Sequence, residues 1–259
     1  MSAPELDADL RHALDEFCGR DRVLVASDYD GCIAPIQPRP DLAVPNPESL
    51  AALRECAERS HTLAAMVSGR ARDDLAAMSG LASAPASDLV LVGSHGAEFD
   101  TGFDQPITAE QQDLLNRIID EFGSIARRFD GTSVETKPAS TTLHVRNASP
   151  ADATAALALA ADGPATWSGV HVTEGKAVVE LAVIDTSKGL ALDRLRDRFG
   201  ADAVLYLGDD VTDEKAFAHL HRGTDVGIKV GTGVTGAQFR VPTTDHVAAV
   251  LAYVAGHRN

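Results

Sequence analysis

Two short apolar runs, each ending in acidic residues, constrain the fold of this chain more than any other feature. Residues 23–26 lead into the sequence SDYDG at 27–31, and residues 203–207 lead into GDDVTDE at 208–214. An apolar run of about five residues is typical of a buried parallel strand. Both acidic clusters are therefore expected at the carboxyl ends of strands, where open α/β sheets bind their ligands.

Strand-like and helix-like segments alternate in the first and last parts of the chain, which predicts βαβ units around a parallel sheet. The predicted strands of this core lie at 22–27, 61–67, 89–92, 203–207 and 225–230, and its helices at 47–59, 71–78, 188–199, 212–221 and 245–255. The middle of the chain repeats the order helix, strand, strand, which suggests a small sheet covered by two helices. We therefore predict an α/β fold with a parallel-sheet core at 1–103 and 185–259 and an inserted α/β cap domain at 104–184.

Composition argues against several classes of function. The chain has 259 residues, enough for a core with an inserted module, and its formal charge of −15 disfavours nucleic acid and anionic membranes as partners. Three cysteines without metal-ligand spacing argue against zinc and a disulfide framework and favour a reducing cytoplasm. The N-terminus lacks a targeting pattern, and the longest apolar stretches are too short to span a bilayer. We expect a cytoplasmic protein whose oligomeric state stays open, with a monomer favoured.

A glycine-rich segment at 231–236, GTGVTG, matches the G-x-G-x-x-G pattern of dinucleotide-binding loops and follows a predicted strand. The helix that such a loop requires does not follow, because residues 238–242 have the pattern of a short strand stopped by Pro242. A turn is therefore the preferred interpretation of this segment.

The acidic clusters contain the residues that suggest chemistry, although either cluster alone is as well explained by a turn or a helix cap. Asp28 and Asp30 are two residues apart, so one carboxylate can attack phosphorus while the other protonates the leaving alcohol and then activates water. Asp209, with Asp210 or Asp213 nearby, can complete an oxygen-ligand set for Mg²⁺.

Two further motifs add groups that can hold a phosphate. Ser68, Gly69 and Arg70 follow a predicted strand and open a helix, where backbone N–H groups, a hydroxyl and a guanidinium can bind an oxyanion. Taken alone, Ser68 is better explained as a plain helix N-cap. Lys188 begins the helix after the cap domain, where it can steady a nucleophile and a phosphoryl group, although an isolated lysine there is usually solvated.

In chain order, the four elements are the cluster with Asp28 and Asp30, the Ser68 motif, Lys188 and the cluster with Asp209. This order, with an inserted domain before Lys188, resembles the haloacid dehalogenase (HAD) superfamily of phosphatases. The resemblance implies a HAD-like Rossmannoid core with Mg²⁺ as its cofactor. It implies that Asp28 is the nucleophile, Asp30 the general acid and base, and Ser68 a phosphate-binding residue. It further implies that Lys188 is the motif lysine and that the Asp28 carboxylate, the Asp30 backbone carbonyl and Asp209 hold the magnesium ion.

Within that superfamily, the acidic clusters and Phe217 are similar to those of the trehalose-6-phosphate phosphatase family, and segments of the predicted cap agree. Glutamates accept hydrogen bonds from sugar hydroxyls, whereas lysine and arginine donate to hydroxyls or phosphate. The substrate-binding residues that this resemblance implies are Arg70, Glu135, Lys137, Ser140, Arg146, Lys176 and Glu180. Taken singly, such charges more often form a solvated strand face, and His144 an ordinary packed histidine.

Two positions depart from the pattern of that family. Cys32 stands where related phosphatases commonly carry threonine, so a hydroxyl contact behind the catalytic loop is expected to be absent. Val145 stands where tyrosine is often found in the cap, which is expected to loosen packing against the sugar. The segment GSHGAE at 93–98 also resembles a family loop, for which a structural role of His95 and Glu98 is preferred over substrate contact.

The resemblance thus implies a Mg²⁺-dependent phosphoric monoester hydrolase of trehalose biosynthesis, which converts trehalose 6-phosphate to trehalose and phosphate through an aspartyl-phosphate. Its partner is a small sugar phosphate. Two alternatives stay open. One is a phosphatase for another sugar phosphate, such as sucrose phosphate or a glycosyl-phosphoglycerate. The other is a catalytically silent sugar-phosphate sensor, against which the intact Asp28, Asp30, Lys188 and Asp209 argue.

Overall fold

The structure is a computed structural model that describes residues 4–82, 89–103, 106–175 and 177–258. Its strands are β1 Val23–Ser27, β2 Thr62–Val67, β3 Val90–Val92, β4 Glu98–Phe99, β5 Gly102–Phe103, β6 Ser133–Thr136, β7 Ser140–His144, β8 His171–Gly175, β9 Val178–Ala182, β10 Ala203–Gly208, β11 Val226–Val230 and β12 Phe239–Val241. Its helices are α1 Ala8–Cys18, α2 Pro47–Ala57, α3 Arg72–Met78, α4 Ala109–Ala126, α5 Pro150–Asp162, α6 Lys188–Phe199, α7 Val211–His219 and α8 Thr244–His257.

The chain divides into two compact units. The first, here called the core unit, comprises Met1–Gly102 and Ser187–Asn259, and the second, the inserted unit, comprises Phe103–Thr186. None of the helices within the described ranges is both long and apolar enough to cross a membrane.

The core unit contains a six-stranded sheet in the order β12-β11-β10-β1-β2-β3, and all of its strand pairs are parallel. The predicted parallel α/β core is therefore confirmed. Every residue of β1 and β10 is buried, as expected for strands covered on both faces by helices. The two strands are neighbours in register, with Ser27 opposite Leu207, so the acidic clusters that follow them begin side by side at one edge of the sheet.

Successive side chains of β1 enter two different hydrophobic clusters, one on each face of the sheet. Val23 and Val25 belong to a cluster that includes Leu14 and Leu251 from flanking helices. Leu24 and Ala26 belong to a second cluster, which contains residues of α6 and α7. Full burial of one such aliphatic side chain contributes roughly 1.5–3 kcal/mol, so these two layers fix the position of the strand ends.

Helix α1 lies outside the predicted elements, the first of which began at residue 22. Asp7 accepts a hydrogen bond from the Asp9 N–H and caps the helix, and Leu10, Leu14 and Phe17 are buried. The spacing of these three apolar residues, four and then three positions apart, is that of one helix face.

The inserted unit has a four-stranded antiparallel sheet in the order β6-β7-β9-β8. One face of the sheet packs against α4 and α5, where Leu143 and Leu181 join Ile118 and Phe122 in a single cluster. Val145 belongs to this cluster and is 2% exposed. The expectation that Val145 affects sugar packing is therefore wrong, because its side chain fills the apolar layer under the sheet.

The glycine-rich segment at 231–236 leads into strand β12 and not into a helix. The Arg240 guanidinium donates hydrogen bonds to the backbone carbonyls of Gly231 and Gly233, each at 2.6 Å. The segment is thus a turn between two parallel strands, and its backbone N–H groups do not begin a helix that could bind a pyrophosphate.

Candidate active site

The ends of β1 and β10 bring Asp28, Asp209 and Asp213 together with Lys188 in the core unit. Carboxylate oxygens of the three aspartates lie within 4.8 Å of one another. The Lys188 ammonium lies 2.7 Å from Asp28 Oδ2 and 2.8 Å from Asp213 Oδ1. Lys188 is 2% exposed, so the isolated, solvated lysine considered from the sequence is wrong.

Asp213 is the fully buried anchor of this cluster. One carboxylate oxygen accepts hydrogen bonds from Lys188 and from the Tyr206 hydroxyl, and the other accepts from the backbone N–H groups of Asp209 and Asp210, each at 2.9 Å. Burial alone would raise the pKa of Asp213, but the facing Lys188 ammonium and these donors hold it below its usual value. Asp213 therefore orients Lys188 and the loop that bears Asp209, and its lone pairs are already in use.

Two glycines let the aspartates approach one another. Gly31 adopts φ = 83°, and a Cβ at this position would lie 2.1 Å from Asp209 Cγ. A Cβ at Gly208 would lie 2.4 Å from the Asp213 side chain. Any larger residue would displace a carboxylate of the cluster, so both acidic motifs need their glycines for space.

The charges of this cluster fit a divalent cation. Burial raises the pKa of Asp28 well above its ordinary value, and burial together with neighbouring Asp213 raises the pKa of Asp209 to about 7. The Lys188 ammonium compensates for one of three carboxylates, which leaves two negative charges. Oxygen ligands crowded in this way match the preference of Mg²⁺, and a cation would favour the ionised form of both aspartates.

Asp30, the predicted acid and base, is held by Arg70. The Arg70 guanidinium donates to both carboxylate oxygens of Asp30 at 2.8 Å, and it also donates to Asp74 and to the Pro40 carbonyl. Bidentate pairs of this kind fix orientation as well as charge. The structure thus pairs Arg70 with the predicted general acid, so the assignment of Arg70 to substrate binding stays a prediction that requires Arg70 to exchange partners.

Ser68 lies at the end of β2 and is 1% exposed. The Ser68 hydroxyl accepts a hydrogen bond from the Arg70 N–H at 3.2 Å. Helix α3 begins only at Arg72, with Ala71 at its N-cap position. The simple interpretation of Ser68 as a helix N-cap is therefore wrong, which leaves the hydroxyl in a tight loop beside the carboxyl end of the sheet.

In the inserted unit, polar residues cross the sheet face opposite α4 and α5. Thr142 is paired with Glu135 on one side and with Glu180 on the other, and Glu180 is paired with Thr173. Residues directly opposite in neighbouring strands lie on the same face. These four residues form what we call the polar row.

Glu180 is the centre of the polar row. Its carboxylate accepts hydrogen bonds from the Lys137 ammonium at 2.6 Å, the Ser140 hydroxyl at 2.9 Å and the Thr142 hydroxyl at 3.0 Å. Both Glu180 and Lys137 are buried. The structure thus unites three of the predicted sugar-binding residues and adds Thr142.

The side chains of Glu135 and His144 are hydrogen-bonded to each other on the same face of the sheet. Their side chains are 2.8 Å apart, so His144 is not an ordinary packed histidine. The hydrogen bond from His144 lowers the pKa of Glu135, although burial opposes this effect. Arg146 is exposed just beyond β7, and Lys176 lies outside the described residues.

The sequence matches the model of one protein family over most of its length. The model of the family described as trehalose-phosphatase matches residues 26–245, which include both acidic clusters, Lys188 and the polar row. The chain belongs to this family.

Named relatives agree with this membership. The trehalose-6-phosphate phosphatase of Escherichia coli (strain K12) is 32% identical over 217 residues, which cover 83% of this chain and 79% of the relative. The trehalose-phosphate phosphatase of Mycobacterium avium (strain 104) is 31% identical over 244 residues, which cover 88% of this chain. The chain spans 58% of that second relative, little more than half its length.

A solved structure has the same fold. The C-terminal domain of C. albicans trehalose-6-phosphate phosphatase superposes with a TM-score of 0.80, covering 98% of this chain and 99% of that one, at 23% identity. This chain and that neighbour therefore share one α/β fold.

Cys32, which departs from the family pattern, is completely buried near Asp28 and Asp209. Burial, and then the negative charge of Asp28, raises the pKa of the Cys32 thiol well above its usual value. The thiol therefore stays protonated at neutral pH and behaves as a small apolar side chain.

Several site residues were not assigned a role from the sequence. Asp213 was considered only as a possible metal ligand, and its spacing of three residues from the N-cap Asp210 was the signal for its part in a capping box. Tyr206 and Lys229 lie in apolar strand patterns that carried no such signal. The Lys229 ammonium donates to the Asp209 backbone carbonyl at 2.5 Å and supports the loop from the neighbouring strand.

Proposed function

We propose that the protein hydrolyses trehalose 6-phosphate to trehalose and phosphate, as a step of trehalose biosynthesis. The observation that carries this proposal is the buried cluster in which Asp28 faces both Lys188 and the other two aspartates. Membership of the trehalose-phosphatase family supports the choice of substrate.

In the proposed reaction, an Asp28 carboxylate oxygen attacks phosphorus and the bond to the sugar oxygen breaks, which gives an aspartyl-phosphate. Once Arg70 exchanges partners and Asp30 is protonated, Asp30 donates its proton to the leaving sugar oxygen. The Asp30 carboxylate then takes a proton from the water that attacks phosphorus, and the bond between phosphorus and the Asp28 oxygen breaks to release phosphate. The Lys188 ammonium, fixed by Asp213, holds Asp28 in position and offsets the charge of the phosphoryl oxygens. The Ser68 hydroxyl binds a phosphoryl oxygen.

We propose Mg²⁺ as the cofactor. The residues that would hold it are Asp28, Asp209 and the backbone carbonyl of Asp30, because Asp213 already has four hydrogen-bond donors. When bound, the ion supplies positive charge that lets an anionic carboxylate approach an anionic phosphate.

The polar row of the inserted unit is proposed to bind the disaccharide part of the substrate. Glu135 and Glu180 accept hydrogen bonds from sugar hydroxyls, while Lys137, Arg146 and Lys176 donate to hydroxyls or phosphate. The prearranged contacts of Glu180 support this assignment, since a fixed carboxylate loses little entropy on binding.

The compartment is proposed to be the cytoplasm. Cys18, Cys32 and Cys56 are all free thiols, a state that a reducing compartment maintains. Cell fractionation tests this proposal directly, and recovery of the protein outside the cytoplasmic fraction would contradict it.

The experiment that tests the function is phosphate release from trehalose 6-phosphate, sucrose 6-phosphate, glucose 6-phosphate and p-nitrophenyl phosphate, with Mg²⁺ and with EDTA. We expect an EDTA-sensitive preference for trehalose 6-phosphate. A preference for another sugar phosphate would keep the chemistry and overturn the substrate. Binding of trehalose 6-phosphate without any turnover would favour a sensor and overturn the enzymatic proposal.

A further inference from the structure

The loop after β3 has a strained backbone. Ser94 and His95 have φ values of 48° and 53°, and Gly96 has φ = 108°. A left-handed conformation is unfavourable for a residue with a side chain, and here two such residues are consecutive. Strain of this kind persists only where the surrounding structure enforces it, and it occurs preferentially at functional sites.

The strained residues hold the Ser68 loop through their backbone. The Ser94 N–H donates to the Arg70 carbonyl at 2.7 Å, and the His95 N–H donates to the Ser68 carbonyl at 2.9 Å. These two bonds fasten both ends of the tripeptide of Ser68, Gly69 and Arg70. An extended backbone at 94–95 would direct the two donors elsewhere.

The His95 ring occupies the space that a side chain at position 69 would need. A Cβ on Gly69 would lie 2.5 Å from His95 Cε1 and 2.6 Å from Nε2. Gly69 itself does not have a left-handed backbone. Position 69 thus requires glycine because of the imidazole above it, and not because of its own conformation.

The same loop also contacts the segment that carries Lys188. A Cβ on Gly96 would lie 2.6 Å from the Ser187 carbonyl oxygen and 3.0 Å from Ala191 Cβ. Ser187 caps α6, whose first residue is Lys188. The loop is therefore wedged between the proposed phosphate-binding serine and the residue before the proposed phosphate-binding lysine.

We propose that His95 is a positioning residue whose imidazole, packed on Gly69, sets the place of Ser68 relative to Lys188 for binding a phosphoryl group. This inference rests on the proposed function, since it takes Ser68 and Lys188 as groups that face the phosphate. His95 acts through Gly69 and does not itself touch the phosphate.

The test is a double-mutant cycle with Gly69→Ala, His95→Gly and the double variant. Glycine at 95 keeps the left-handed backbone without strain and removes the ring. Inorganic phosphate binding is measured by isothermal titration in the presence of Mg²⁺, alongside kcat and KM for p-nitrophenyl phosphate. Gly256→Ala, a change in α8 with open space around it, is the control that should alter neither quantity.

We expect His95→Gly to weaken phosphate binding about tenfold, and Gly69→Ala to weaken it more, because the methyl group meets the ring. The double variant is expected to bind phosphate better than Gly69→Ala, since removal of the ring makes room for the methyl group. Such a rescue would show that the contact between His95 and Gly69 itself affects phosphate binding. A general loss of stability, which thermal unfolding curves measure, would not produce a rescue.

Phosphate binding by His95→Gly within about twofold of the wild type would overturn the inference. So would a double variant no better than Gly69→Ala, or a wild-type protein that binds no phosphate. If the wild type binds phosphate but does not hydrolyse trehalose 6-phosphate, the proposed function fails while the cycle still decides the role of His95.

Discussion

Each unit of the molecule contains a buried lysine that faces carboxylates, and the two arrangements differ in their balance of charge. In the core unit, Lys188 is shared by Asp28 and Asp213 within a cluster of three aspartates. In the inserted unit, Lys137 faces Glu180, which also accepts hydrogen bonds from the Ser140 and Thr142 hydroxyls. The aspartate cluster has excess negative charge, whereas the charges of the Lys137–Glu180 pair cancel.

The difference indicates what each site is suited to bind. A buried excess of negative charge is unfavourable unless a cation joins it, and the same charge supplies a nucleophile once the cation is present. A neutral pair surrounded by hydroxyls is already satisfied, and it exchanges hydrogen bonds with an uncharged polyol at little electrostatic cost. The core cluster therefore fits phosphate chemistry, whereas the Lys137–Glu180 pair with its neighbouring hydroxyls fits sugar recognition.

The largest expected effect comes from removing Asp28, the proposed nucleophile of the core cluster. Asp28→Asn should lower kcat for every phosphate ester by about 10⁴-fold or more, because no other group can form the aspartyl-phosphate. Thermal unfolding should show an unchanged or increased melting temperature, since one carboxylate of a crowded set becomes neutral. Steady-state phosphate release with Mg²⁺ and a melting curve measure both quantities.

The matched control for this variant is Asp100→Asn at an exposed turn, which should behave like the wild type in both measurements. Turnover by purified Asp28→Asn at a tenth of the wild-type rate or more would contradict the assignment of the nucleophile. A substantial loss of stability would contradict the idea that the cluster is crowded with negative charge.

The second largest expected effect is a loss of folding stability when the Lys137–Glu180 pair is broken. Glu180→Gln leaves the Lys137 ammonium without its buried counter-charge, and breaking such a pair costs about 3–5 kcal/mol. Replacing both partners, in Lys137→Met with Glu180→Leu, should restore much of this stability because neither charge stays buried. Urea denaturation of the wild type and the two variants provides the comparison. Equal stability of Glu180→Gln and the wild type would mean that the pair is solvated.

The smallest expected effect is a pH dependence of folding stability that arises from the aspartates of the core cluster. The folded protein raises the pKa of Asp209 from 3.8 to about 7, so without metal it binds a proton more tightly than the unfolded chain does. Stability of metal-free protein should therefore fall as the pH rises between about 4 and 7. The raised pKa of Asp28 acts in the same direction. The pKa of Lys188 is raised from 10.5, so Lys188 stays protonated between pH 4 and 7 and does not contribute to this pH dependence.

Melting curves at pH 5.5 and pH 8, with EDTA and with Mg²⁺, measure this effect. We expect a melting temperature that is a few degrees lower at pH 8 in EDTA, and a larger stabilisation by Mg²⁺ at pH 8 than at pH 5.5. In Asp209→Asn both differences should shrink. The same dependence in wild type and Asp209→Asn would assign it to other groups.

Much of the fold follows from local patterns in the sequence. The apolar runs at β1 and β10 predicted buried parallel strands. The residues at the helix starts are also typical of such positions, with Pro47 as the first residue of α2 and Ser187 as the N-cap of α6. Helix α1 was missed although its apolar spacing is regular. The failure of the glycine-rich segment to form a nucleotide loop was predictable from the strand pattern after it.

Side-chain partners were much less predictable, because they depend on residues far apart in the chain. Arg70 is paired with Asp30, 40 positions away, and a tripeptide motif gives no sign of that partner. Val145 was expected to affect packing against the sugar, whereas it lies with Leu143 in the apolar cluster of the inserted unit. Packing of His95 on Gly69 is visible only in three dimensions.

The most direct test of the division between the two sites is a ratio of specificity constants. The value of kcat/KM for trehalose 6-phosphate is divided by that for p-nitrophenyl phosphate, in the wild type, in Glu180→Gln and in Lys137→Met, under conditions where each variant is folded. We expect both variants to lower this ratio at least about tenfold while hydrolysis of the aryl phosphate stays nearly unchanged. A parallel fall for both substrates, with the ratio preserved, would contradict it.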